Sequence, residues 1–99
     1  MERRRQLREY RARPGQLDNF VRAWAAHVKP LRERFGFAVE GAWIDRQAER
    51  FVWIVSHDSP DAFAAAERAY YASPARAALD PDPVSFLATV STSFVDRVG

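Results

Sequence analysis

The chain contains no cysteine, which excludes disulfides, thiolate nucleophiles and zinc–thiolate centres together. Its two histidines, His27 and His57, fall in different predicted elements and lack the H-x-x-x-H or carboxylate spacing of a metal site, so no metal is expected. The four glycines, Gly15, Gly36, Gly41 and Gly99, form no phosphate-binding loop. The absence of a G-x-S-x-G elbow removes support for a serine hydrolase. No apolar run approaches the ~18 residues of a membrane span, and no signal-type apolar stretch follows Met1. The cytoplasm is therefore the expected compartment, with neither membrane partner nor cofactor.

Charge of one sign is also nearly missing, with a net of +2 over 99 residues. The excess is nearly matched by the run Arg3, Arg4 and Arg5, read here as a solvated, partly frayed end rather than a nucleic-acid arm. Nowhere do basic residues alternate with aromatics along one face, so no nucleic-acid partner is expected. What is present is apolar: 47% hydrophobic and 13% aromatic residues suffice for a core and argue against disorder. The length predicts one domain over residues 1–99. A chain of this size buries only about 60–65% of its unfolded surface, so any large apolar face left over calls for a partner.

Arg5 to Ala12 alternates as a strand and Arg13-Pro14-Gly15 breaks it. From Gln16 to Phe35 the residues Leu17, Phe20, Val21, Trp24, Val28, Leu31 and Phe35 keep helical spacing, with Gly36 placed as a C′ glycine. Pro30 predicts a kink in one long bent helix. Strands are predicted over Phe37–Asp45 and Arg50–His57. Ser59-Pro60 opens a second helix to about Ala72 as N-cap and N1. Ser73-Pro74 restarts a helical turn through Ala78, and Asp80-Pro81-Asp82-Pro83 leads to a last strand from Ser85 to about Val98. The order β-α-β-β-α-β predicts an α+β, ferredoxin-like fold: a four-stranded antiparallel sheet with both helices on one face.

Period-2 alternation divides the third strand into two sets, Val52 with Ile54, and Phe51, Trp53 and Val55 with His57. The set containing a histidine suits a helix-covered face less well, so Val52, Ile54 and Leu7 are expected under the helices. Phe51, Trp53, Val55, His57, Arg8 and Tyr10 are then expected on the open face. An open face carrying that apolar set predicts a homodimer joined through its sheet faces, a dimeric α/β barrel with a space between the sheets.

Tyr10-Arg-Ala-Arg-Pro14-Gly15-Gln-Leu17, Trp24, Pro30-Leu31, Phe35-Gly36-Phe37, Gly41-Ala-Trp43, Arg50-Phe51-Val52-Trp53 and Tyr70-Tyr71-Ala-Ser73-Pro74 stand in that order along the chain. Together these segments resemble the NIPSNAP family of dimeric α/β-barrel proteins. The resemblance covers roughly Gln6 to Val98 and lies in the order and spacing of the segments. It implies the ferredoxin-like fold, sheet-to-sheet dimerisation and a hydrophobic cleft in each protomer. Relatives on this fold include cofactor-independent monooxygenases, polyketide cyclases, isomerases, decarboxylases and haem-degrading enzymes. The last match least, since no histidine lies between Ala62 and Ala72.

The candidate site follows from these faces. His57 at a strand end is read as an acid or base, or as a cap of the turn into Asp58-Ser59. Arg8 and Tyr10 together suit an enolate or carboxylate, or else an ion pair and a dimer seam. Phe51, Trp53 and Val55 shape the pocket, Trp43 serves as core or cavity wall, and Tyr71 leans over the cleft mouth or lies on the surface. His27 is read as a boundary histidine. The expected function is binding of a small apolar or polyketide-like metabolite, with cofactor-free proton transfer (isomerase, cyclase or monooxygenase type) if it is an enzyme. The alternative is a non-catalytic binding or assembly module whose cavity is filled by its own side chains.

Overall fold

The computed structural model describes residues 2–99. Strands β1 (Arg4–Ala12), β2 (Ala38–Asp45), β3 (Arg50–His57) and β4 (Leu87–Val95) form one antiparallel sheet in the order β2-β3-β1-β4. The connections carry α1 (Leu17–Ala23), α2 (Lys29–Arg34), α3 (Pro60–Ala72) and the short α4 (Pro74–Ala77). This is the ferredoxin-like α+β arrangement.

Local chemistry sets the element ends. The Ser59 hydroxyl accepts the Ala62 N–H at 3.1 Å, and Pro60 follows at the first helical position, where its missing N–H is harmless. Gly36 closes α2 with φ of +89°, and a Cβ there would meet His57 Nε2 at 2.7 Å. Pro30 breaks nothing: the helix widens into a π-helical turn, Trp24–Val28, just ahead of it, with the Lys29 N–H bonded to the Trp24 carbonyl.

The two faces of the sheet are the reverse of the expectation. Phe51, Trp53 and Val55 lie fully under the helices, as do Arg8 and Tyr10, while Leu7, Val52 and Ile54 are half-buried on the open side. The reason is area. Fully burying a large apolar side chain contributes about 1.5–3 kcal/mol, so the aromatic set gains more beneath the helices than Val52 and Ile54 would. Phe51 meets Phe20 and Trp24 at 5.2 and 5.0 Å between ring centroids, and Trp53 meets Trp24 at 5.3 Å. His57, whose polarity weighed against this placement, sits at the strand end. There Nε2 lies 3.2 Å from the Phe35 carbonyl and Nδ1 accepts the Asp58 N–H at 2.9 Å.

The open face has an apolar centre and a charged rim. Leu7 pairs with Ile54, Val52 pairs with Trp43, and the Trp43 ring lies over Gly41, where any Cβ would strike it. Around this patch stand the ion pairs Arg5–Glu40, Arg50–Glu9 and Arg50–Asp45. The N-terminal arginines are not a frayed end: Arg3 bonds Asp58 at 3.0 Å, Arg4 stacks 4.4 Å from the Phe94 ring, and Arg5 bonds Glu40 at 3.0 Å.

Glu40 is the extra residue where the β2–β3 register shifts. Burial opposes its ionisation, but hydrogen bonds from Ser56 and Arg5 and the charges of Arg5 and Arg3 outweigh it. They hold its pKa below the ordinary 4.5. A carboxylate depressed in the folded state adds stability above its unfolded pKa and loses it as pH falls through the folded one. Glu40→Gln should therefore have a lower urea midpoint than the parent at neutral pH, and the two midpoints should converge as the pH falls through the depressed folded pKa of Glu40.

Candidate ligand cavity

The helices cover β3 and β1 but leave β4 largely exposed. Over β1 and β4, between the long helix and α3, lies a cavity of about 240 Å³. Arg8, Tyr10 and Trp53 form its floor from the sheet. Phe20, Trp24, Val28 and Arg32 reach in from one side, and Tyr70, Tyr71 and Arg76 from the other. Half-exposed Tyr71, Val84 and Val90 stand at its mouth.

Two guanidiniums sit deep in this space. Arg8 donates through Nε to the Tyr10 hydroxyl, through Nη1 to Gln6 Oε1 at 2.8 Å and through Nη2 to the Tyr71 hydroxyl at 3.3 Å. Burial would lower its pKa, but Tyr10, Tyr71 and Glu67 around it raise it above the usual guanidinium value, so Arg8 stays charged. Arg32, only 1% exposed, donates through Nη2 to the Tyr71 hydroxyl at 3.1 Å and stacks 4.2 Å from the Tyr70 ring. Burial pushes the Tyr70 phenol up, against the pull of Arg32 and Arg76, and keeps it protonated. Glu67 is shared, at 3.5 Å from Arg8 and 3.8 Å from Arg32.

Donors outnumber acceptors. Trp24 Nε1, Trp53 Nε1, Arg32 Nε and Nη1, and Arg76 Nε are buried without a hydrogen-bond partner. All five atoms are donors, and all four residues line the cavity. Unpaired buried N–H groups cost about 1–3 kcal/mol each unless water or another partner meets them. No carboxylate or imidazole lies among the lining residues. Among the described residues no cluster of three or more His, Asp or Glu side chains could hold a metal ion.

Of the residues singled out in the sequence, Arg8, Tyr10, Trp53 and Tyr71 meet in this cavity. His57 does not line it; both its ring nitrogens face backbone partners. Phe51 and Val55 are core residues outside the lining, and Trp43 lies on the opposite face. Arg32, Trp24, Tyr70 and Arg76 were missed. Arg32 left a signal: it continues the row Trp24, Val28, Arg32, a charged residue on a buried helical stripe.

The NIPSNAP family model matches residues 5–96. The fold is similar to that of a NIPSNAP domain protein of Burkholderia xenovorans, at 18% identity and a TM-score of 0.85, covering 96% of this chain and 94% of that one. It is also similar to a NIPSNAP family protein of Agrobacterium tumefaciens, at 11% identity and a TM-score of 0.88, covering 98% and 94%. An antibiotic biosynthesis monooxygenase shares the fold at 15% identity and a TM-score of 0.66, covering 97% and 99%. Among functionally curated proteins none matches the chain.

Proposed function

The chain belongs to the NIPSNAP family, and from that premise we propose that it binds a small, largely apolar metabolite in the cavity between its sheet and helices. The carrying observation is the cavity of about 240 Å³, walled by Phe20, Trp24, Trp53 and Tyr70 with Arg8 and Arg32 at its polar end. Apolar walls with a few fixed polar groups are the usual make-up of a ligand site, and this volume lies just below the ~300–1,000 Å³ of drug-sized pockets. Open space here favours ligand binding over a module filled by its own side chains.

The lining carries cations, phenols and indoles but no base. This favours binding over proton abstraction by the protein. An enzyme built on this site would use Arg8 and Tyr10 to stabilise an oxyanion on a substrate that ionises readily, without a cofactor. The shared fold of an antibiotic biosynthesis monooxygenase is an analogy of scaffold only.

Two protomers pair through their open faces, joining the patches of Leu7, Val52, Ile54 and Trp43 inside a ring of ion pairs. An apolar centre with a polar rim is the anatomy of a protein interface.

Native mass spectrometry of the purified protein, followed by its thermal melt with the recovered compound, tests the binding reading. A discrete added mass is expected, and resupplying the compound at about 100 times its Kd should stabilise the fold by about 2.7 kcal/mol. A protein that carries no added mass from any expression host, and whose melting is unmoved by aromatic metabolites, would overturn the reading.

A further inference from the structure

We propose that the ligand is an organic monoanion whose carboxylate head is held by Arg32 with the Trp24 and Trp53 indole N–H groups. The proposal rests on the cavity being a ligand site and adds the chemical class of what fills it.

The first ground is the sign of the unmet hydrogen bonding. Among the described residues, five buried atoms on residues that line the cavity lack a partner within the protein, and every one is a donor. A ligand that answers them must bring acceptors, and a carboxylate brings about four lone pairs and no hydrogen. The phenols answer only part of this need. The Tyr71 oxygen already accepts from both Arg8 and Arg32, the Tyr10 oxygen accepts from Arg8, and the Tyr70 phenol offers Arg32 one further oxygen.

The second ground is charge. Arg8 and Arg32 are both more than nine-tenths buried, and among the described residues the one carboxylate within 4 Å of them is Glu67. Its distances of 3.5 and 3.8 Å are longer than the ~2.7–2.9 Å of a tight charge-assisted bond. Arg76 is served separately by Asp82 at 3.1 Å. Two guanidiniums on one carboxylate leave one positive charge uncompensated in a desolvated site, a costly arrangement. A single negative charge on the ligand removes that imbalance, whereas a phosphate dianion would reverse it.

The third ground is convergence. The Arg32 guanidinium lies 5.8 Å from the Trp53 ring, and the Trp53 ring lies 5.3 Å from the Trp24 ring, so three of the four residues that carry unpaired donors are neighbours. Leu87 and Val90 line the cavity toward β4 and receive the apolar body.

Calorimetric titration of the full chain with benzoate, cinnamate and 1-naphthoate, each beside its primary amide, separates head group from body. At least one acid should bind about 10-fold or more tighter than its amide, the scale of a hydrogen bond to a charged group. Inorganic phosphate should not compete. Arg32→Met should reduce the acid preference below about 3-fold while the amide still binds, and Arg32→Lys should restore part of it. Arg32→Met removes a guanidinium with two unpaired nitrogens and should fold. Equal binding of acid and amide, or an acid preference unchanged in Arg32→Met, would overturn the carboxylate assignment and leave the cavity reading standing. Binding of neither series would overturn both.

Discussion

Trp53→Ala is expected to lower the stability of the protein by about 3–5 kcal/mol, the range for deleting a buried aromatic. Trp53 is 0% exposed and central: its ring meets Trp24 at 5.3 Å and Tyr10 at 6.5 Å, and the Arg8 and Arg32 guanidiniums each lie 5.8 Å from it. Truncation removes the floor of the cavity and leaves both guanidiniums facing a larger void. The neighbours cannot collapse into it, because Trp24 is held by Phe51 and the π-helical turn. Domains of this size have about 5–15 kcal/mol in total, so the variant should be largely unfolded well before the parent in a urea titration. The midpoint should fall with the slope unchanged. A loss below about 1 kcal/mol would mean that the residue is not packed as described.

Ile54→Glu is expected to convert the proposed dimer into a monomer while leaving the ligand cavity intact. Ile54 is paired with Leu7 at the centre of the open face, opposite in direction to Trp53 and Val55 on the same strand. A carboxylate there would be desolvated against its own copy across the two-fold axis, and the nearest cation on that face, Arg5, is already paired with Glu40. Sedimentation velocity at micromolar concentration should show the parent at twice the monomer mass and the variant at one. The aryl-acid titrations on the variant should be unchanged, since the cavity lies on the other side of the sheet. A parent protein that sediments as a monomer would sink the dimer, and the open face would then stand as a surface of unknown occupant.

Arg32 shows why the site was only half readable. The i, i+4 row Trp24, Val28, Arg32 points to burial, but the charge of Arg32 beside the apolar Leu31 reads equally as the start of a polar face. The π-helical turn inserts one extra residue per turn upstream, which shifts the buried stripe so that both Leu31 and Arg32 point inward. Arg8 and Tyr10 were identified as partners because they are two residues apart on a strand, a spacing that places side chains on one face whichever face that is. His57 lies on the helix-side set rather than the open face, and of its two readings the geometry matches the turn cap: Nδ1 accepts the Asp58 N–H and Nε2 meets the Phe35 carbonyl.

By itself, then, the sequence determined what short-range rules govern: the βαββαβ order, the Ser59-Pro60 helix start, the Gly36 stop, the β3 limits and the two alternating side-chain sets of each strand. Each depends on residues within a few positions of one another. Only the tertiary structure decided which set the helices cover, where the cavity opens and which charges are left without partners. Alternation divides a strand into two faces without saying which is buried. That choice is made by the total area that Phe51, Trp53 and Tyr10 bury against Phe20 and Trp24, residues far away along the chain.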